Sequence, residues 1–295
     1  MNYQHLKYFQ VLAREENFQR ASAKLFVTQP ALSRAISNLE SELGVELFDK
    51  TKQGTKITPC GMVFLKYVDK AIENIEQGVD AIRFMTGKLE GIIRIACVYG
   101  YVYRYLPKLI RSFTEKYPNI RFEILLGPTY DVMERLNDET ADVGFHLETP
   151  QMKKFPNLDF KTIHREDIVI AVPKSWPLSE KKSCHLADLA KMRLISFGFN
   201  SGIIYKTQAL FKSVGLDYIP YITANDDQSV LNIVRNGIGA AIVMRNIVRS
   251  DDPDISIVEI ADHVDKSINI CIAMKQRTNF STIVTSFVDF VLNEA

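Results

Sequence analysis

Six residues in one short stretch carry side chains suited to reading a nucleic acid: Thr28, Gln29, Pro30, Ser33, Arg34 and Ser37. They open a helix whose other face is apolar, with Leu32, Ile36, Leu39 and Leu43 at spacings of 4, 3 and 4. Thr28 is placed to cap its first free N–H groups, and Pro30 falls in the first turn, where a missing N–H costs little. Gly44 follows as the expected left-handed stop. Amide, hydroxyl and guanidinium groups on such an end can reach base edges and phosphates in a major groove. Just beyond, Leu47 and Phe48 lead into Lys50, Lys52 and Lys56 around Gly54. That pattern reads as a two-stranded wing whose lysines touch flanking phosphates.

A second set of candidates lies in loops far downstream. In open α/β sheets ligands bind beyond the carboxyl ends of strands, against the N-termini of the helices that follow. The rule selects Tyr99, Gly100, Tyr101, Thr129, Phe197, Ser201, Gly202 and Gln228, with His146 after a third strand. Hydroxyls and free N–H groups there suit a small organic ligand with at most one carboxylate, between apolar walls. Asp226 and Asp227 either repel such an anion or cap a helix.

The elements that must position these groups follow in order. A helix near 3–15 precedes a short one at 18–25, which a tight turn joins to the helix beginning at Thr28. This is a helix-turn-helix, or equally a plain helical hairpin until the wing is considered. Another helix runs from 59 to about 85. Its apolar residues Leu65, Val68, Ile72, Ile75, Val79 and Ile82 alternate at spacings of 3 and 4, a seam suited to self-association. From Ile92 strands and helices alternate, which predicts a parallel sheet with right-handed crossovers. Strands are expected at 92–97, 120–126, 142–147, 167–172, 193–196, 219–223, 239–243, 255–260 and 267–274. Helices are expected at 103–116, 130–138, 186–190, 203–213, 227–236 and 280–293.

Composition narrows the class. The 295 residues carry a net charge of +1, so nucleic-acid binding must come from a local patch. The N-terminus has charges within its apolar pattern and no signal-peptide core, which places the protein in the cytoplasm. Cys60, Cys97, Cys184 and Cys271 have no ligand spacing, so no metal or cofactor is expected. No G-x-S-x-G, H-E-x-x-H or P-loop occurs, which speaks against an enzyme; an enzyme of small acids is the weakest alternative. Cys184 followed by His185 leaves a thiol-based redox sensor as the rival reading, because a nearby imidazolium stabilises thiolate.

The run LKYFQVLAREENFQRASAKLFVTQPALSRAISNLESELGVELF, with its wing and TPCG, resembles the winged helix-turn-helix of LysR-type transcriptional regulators. Arginines usual after Leu-Phe in that family are replaced here by Asp49 and Lys50, which favours phosphate positioning over base reading by the wing. The resemblance implies an α/β chain in three parts. Residues 1–58 form the DNA-binding domain and 59–87 a dimerising linker helix. Residues 88–295 form a two-lobed effector domain akin to type II periplasmic binding proteins. Lobe one comprises about 92–163 plus 267–295, and lobe two about 164–266. It further implies a dimer or tetramer on an interrupted inverted repeat of double-stranded DNA, and a metabolite between the lobes.

Overall fold

The computed structural model describes residues 1–51, 54–85, 90–276 and 281–294. They form two compact units, Met1–Thr86 and Gly87–Ala295.

In the first unit α1 (Tyr3–Glu15), α2 (Phe18–Leu25) and α3 (Gln29–Leu43) are followed by a hairpin, β1 (Phe48–Thr51) and β2 (Gly54–Ile57), and by α4 (Pro59–Met85). Each early helix starts on a side-chain cap: Asn2 accepts from the His5 N–H, Asn17 from Arg20 and Thr28 from Ala31. Phe26 and Gly44 end α2 and α3 in the left-handed region. Phe9, Leu12, Ala21, Leu32, Ile36, Leu39, Leu47 and Phe48 close the core, while Leu43, expected on the same stripe, is exposed. Glu40 pins the hairpin to α3 by accepting from the N–H groups of Leu47 at 2.8 Å and Phe48 at 3.2 Å.

The TPCG sequence has a structural cause. Thr58 caps α4 by accepting from the Gly61 N–H at 3.0 Å. A Cβ on Gly61 would stand 2.4 Å from the Leu47 carbonyl oxygen, so the helix can approach the hairpin only through glycine. Gly61→Ala is therefore expected to destabilise this unit by roughly 1–3 kcal/mol. Urea unfolding of the wild type and variant measures the difference.

The second unit begins with β3 (Gly91–Cys97), α5 (Tyr99–Arg104), α6 (Leu106–Lys116), β4 (Ile120–Leu126), α7 (Thr129–Asn137) and β5 (Val143–Leu147). A long β6 (Leu158–Pro173) leads to β7 (Ser183–Cys184), α8 (Leu186–Leu189), β8 (Leu194–Phe197), α9 (Gly202–Ser213), β9 (Ile222–Ala224), α10 (Asp227–Arg235) and β10 (Ala240–Met244). Then come β11 (Ile255–Ile260), β12 (Ser267–Lys275) and α11 (Thr282–Glu294).

The strand order β4-β3-β5-β12-β6-β10-β8-β9 is mixed and not wholly parallel, which corrects the sequence expectation. β12 runs antiparallel to both β5 and β6, and β6 antiparallel to β10 and β11. The reason is β6 itself: its first part pairs with β12 and its second with β10 and β11, so one strand serves two half-sheets. The strand expected at 167–172 is only its second part. The helix expected at 103–116 is broken into α5 and α6 at Tyr105, because Pro107, at the start of α6, has no N–H to donate to the Tyr103 carbonyl. Behind the first half-sheet, Phe113 of α6 meets Phe287 of α11 edge-on, with ring centroids 5.1 Å apart.

Candidate nucleic-acid interface and ligand cleft

The two faces of α3 are cleanly divided. Leu32, Ala35, Ile36 and Leu39 are buried; Gln29, Pro30, Arg34 and Ser37 are exposed, and Ser33 is half-buried. Thr28 is exposed but its hydroxyl is engaged as the cap. No acidic residue occupies the first turn, so the positive end of the helix faces outward unopposed. Among the described residues Arg34 makes no ion pair, whereas Arg20 and Lys24 on α2 are both held by Glu15. Arg34 is thus the cation of this surface available to a phosphate or a guanine edge. Lys56 is exposed on β2, opposite Asp49 in the hairpin. Lys50 stands opposite Thr55, its side chain outside the described residues, as is the whole of Lys52. Sequence reasoning passed over Phe26, 96% exposed in the turn between α2 and α3.

The single apolar seam expected on α4 divides into two faces. Val68 and Ile72 are buried, and Leu65 packs beside them, in the core that Phe9 and Leu12 form with α3. These three are therefore core residues of their own unit, not free for a partner. The Tyr3 hydroxyl and Lys7 ammonium both engage Glu76, so α1 reaches that far along α4; Val79 and Ile82 lie beyond it, and Ile75 lies about 100° round the helix from Glu76. Ile75, Val79 and Ile82 are exposed. So is Tyr67, which the sequence reading omitted and which falls within roughly 80° of arc of Ile75 and Ile82 at 3.6 residues per turn.

In the second unit four helices, α5, α7, α9 and α10, point their first residues into one cleft. At its centre is a cavity of about 20 Å³ walled by Tyr99, Gly100, Thr129, Phe197 and Ser201, all expected there. Gly127, Pro128, Asn225, Asp227, Met244 and Ile247 also line it and were not assigned. At Gly100 a Cβ would lie 2.5 Å from the Met244 Cε and 3.0 Å from the Ile247 Cγ2, so a side chain there would displace the cavity wall. The cleft is latched shut. Thr129 Oγ1 accepts from the Gly202 N–H at 3.1 Å, and the Tyr130 N–H donates to the Asn200 carbonyl at 2.9 Å. The volume holds about one water.

Four assigned residues stand elsewhere or act differently. His146 is fully buried in β5, donates from Nδ1 to the Leu147 carbonyl at 2.9 Å and rests against Phe160. Burial pushes its pKa down to about 4, so it is a neutral core residue with no access to the cleft. Tyr101 is buried on the far side of α5, stacked on Phe145 at 4.7 Å. Gly202 contributes its backbone to the latch and is absent from the cavity wall. Gln228 is exposed beside the Tyr103 phenol.

Asp226 caps α10 by accepting from the Ser229 N–H at 2.9 Å. Asp227 behaves otherwise: it is 6% exposed, lines the cavity, and its Oδ2 has no hydrogen-bond partner. Burial first, and the neighbouring Asp226 second, raise its pKa to about 7. No sequence signal separates the two aspartates, because both sit at a helix start.

The surroundings of Cys184 do not favour the redox alternative. Cys184 is buried, and burial, with Asp188 adding to it, pushes its thiol up, away from thiolate. Its Sγ donates to the His185 carbonyl at 3.4 Å, while the His185 ring turns to Asp262 at 3.3 Å. Among the described residues no cluster of three His, Cys, Asp or Glu side chains suits a metal, and no helix is long and apolar enough to cross a membrane.

Known proteins with this arrangement are regulators. The family described as "Bacterial regulatory helix-turn-helix protein, lysR family" matches residues 3–62, and the "LysR substrate binding domain" matches 86–295. The chain is 30% identical over 250 residues to the HTH-type transcriptional regulator BenM of Acinetobacter baylyi, covering 82% of this chain and 80% of that protein. It is 26% identical over 299 residues to AlsR of Bacillus subtilis, covering 98% and 94%. Full-length CbnR complexed with its target DNA superimposes with a TM-score of 0.60 at 26% identity, over 99% of both chains.

Proposed function

This chain belongs to the LysR family of bacterial regulatory helix-turn-helix proteins, and from that premise we propose how its parts divide the work. It is a transcriptional regulator that binds double-stranded DNA at an interrupted inverted repeat, as a dimer or tetramer, in the cytoplasm. Residues 1–58 bind the DNA, 59–87 join two copies, and 88–295 receive a small-molecule effector between lobes of about 92–163 plus 267–295 and 164–266. The observation that carries this reading is the exposed Arg34 on the open end of α3, which makes no ion pair among the described residues. It occurs in a chain that aligns over its whole length with a regulator solved on its target DNA.

Base recognition falls to Gln29, Ser33, Arg34 and Ser37, with Thr28 and Pro30 fixing the helix start. Lys50, Lys52 and Lys56 supply phosphate contacts. Self-association uses Ile75, Val79 and Ile82, with Tyr67 on the same exposed face. The effector is held by Tyr99, Gly100, Thr129, Phe197, Ser201 and Asp227, and it acts by changing how far the Thr129–Gly202 latch is closed. Relatives of this organisation are named as regulators and none of the matches described above as an enzyme.

The test is an electrophoretic shift on the chain's own upstream DNA. Arg34→Ala is expected to cost about 1–3 kcal/mol at the specific site and little on random sequence. Lys56→Ala is expected to weaken both alike and to reduce the salt dependence by about one counterion. Unchanged binding by both variants would remove this surface from DNA.

A further inference from the structure

We propose that the cleft selects a ligand bearing a small organic ammonium group, which pairs with Asp227 while the ligand's apolar body lies against Tyr99 and Phe199. The inference rests on the effector reading and names the chemistry of that site.

Several donors that could hold a carboxylate are already used. The N-terminus of α10 is capped by Asp226, and the Gly202 and Tyr130 N–H groups are consumed by the latch. Neither chamber of the cleft is lined by Lys, Arg or His. What remains unpartnered in the inner chamber is an acceptor, Asp227 Oδ2, buried against Gly100. A buried acceptor without a donor is costly, and a charge-assisted donor is its strongest complement.

Size points the same way. The inner chamber of about 20 Å³ admits one water-sized group. An ammonium head is of that size, whereas a carboxylate adds a second oxygen and a carbon. The outer chamber, about 540 Å³, shares Tyr99, Pro128, Ser201 and Asn225 with the inner one, so a ligand can extend from one into the other. Phe199 and Tyr99 give it aromatic walls, and Asp131 adds a second carboxylate there. Aromatic faces beside carboxylates favour a cation.

The charged groups around Asp227 do not oppose this. Asp226 lies on its own cap, and Tyr99 and Tyr103 face it from α5. Arg245, in the turn after β10, is committed to Glu259 at 2.6 Å and to Asp167 at 3.9 Å.

The experiment uses the full chain and three probes with one body and three heads: 2-phenylethylamine, 2-phenylethanol and phenylacetate. Thermal shift and calorimetric titration are expected to show binding of the amine alone. Asp227→Asn should weaken it by roughly tenfold or more. Phe199→Ala, which cannot unfold the domain because Phe199 is exposed, should weaken it while keeping the preference for amine over alcohol and acid. Equal or stronger stabilisation by phenylacetate or phenylethanol, full amine affinity in Asp227→Asn, or no amine binding would each overturn the inference. Binding of the acid with a change in DNA affinity would leave the effector reading standing without the cation. Loss of the effector reading would show separately, as DNA affinity indifferent to every probe that binds.

Discussion

Ile75→Glu is expected to turn the proposed dimer into a folded monomer in sedimentation and to lower its affinity for a two-half-site DNA by about 10²–10⁴. Ile75 is 47% exposed on α4, about 100° round the helix from Glu76, which α1 engages. In the proposed dimer it is enclosed by the partner helix, and a glutamate there leaves an unpaired carboxylate in apolar surroundings, a cost of several kcal/mol. The proposed dimer carries two such groups. The loss of DNA affinity follows because the second half-site is no longer bound at high effective concentration. Ile72→Glu is the companion measurement. Ile72 is 3% exposed inside its own unit, so this variant should unfold the winged domain outright, with loss of its helical signal. A folded dimer in Ile75→Glu would assign the exposed stripe to something other than self-association.

The second large effect is a pH-dependent gain in stability. Asp227 titrates near 7 in the folded chain against 3.8 when unfolded. A raised carboxyl favours the folded state fully below about pH 4, and that contribution is lost as pH rises through 7. Asp227→Asn removes the titration. The variant should therefore match the wild type near pH 4 and exceed it above pH 7 by up to about 4 kcal/mol, or roughly 10 °C in melting temperature. Asp252, Asp262 and Asp265 are all held below the ordinary carboxylate range and give the opposite slope in acid. They are common to both proteins, so the difference between the two melting curves isolates Asp227. A constant difference across pH 4–8 would mean that Asp227 is ionised throughout.

What the sequence made legible was local. Thr28, Gly44 and Thr58 act within four residues of themselves, and each ends or begins a helix where its type predicts. The strand at 158–166 was missed because its residues, LDFKTIHRE, mix charges into a weak alternation. It becomes a strand only by pairing with β12, whose residues lie about a hundred positions later. The same distance hides the roles of the two aspartates. Asp226 and Asp227 are adjacent and chemically alike, yet one meets an N–H of its own helix and the other is enclosed by Gly100 and Met244 from remote elements. His146 was misplaced for a related reason: β5 is buried on both faces, so alternation gives no clue to which side meets solvent.

The continuous β6 also sets what kind of signal the second unit can transmit. Both passages of the chain between half-sheets lie side by side, with Asp167 paired to Ser267 and the Ile168 N–H on the Lys266 carbonyl at 2.7 Å. A one-residue slip between these strands would turn every side chain to the wrong face, so sliding is forbidden while bending is cheap. Closure is then a rotation about one line, a flexure with a single soft degree of freedom. Displacement grows in proportion to distance from that line. In such a rotation the outermost strands, β4 at one end and β9 at the other, would move furthest, as the tips of two lever arms.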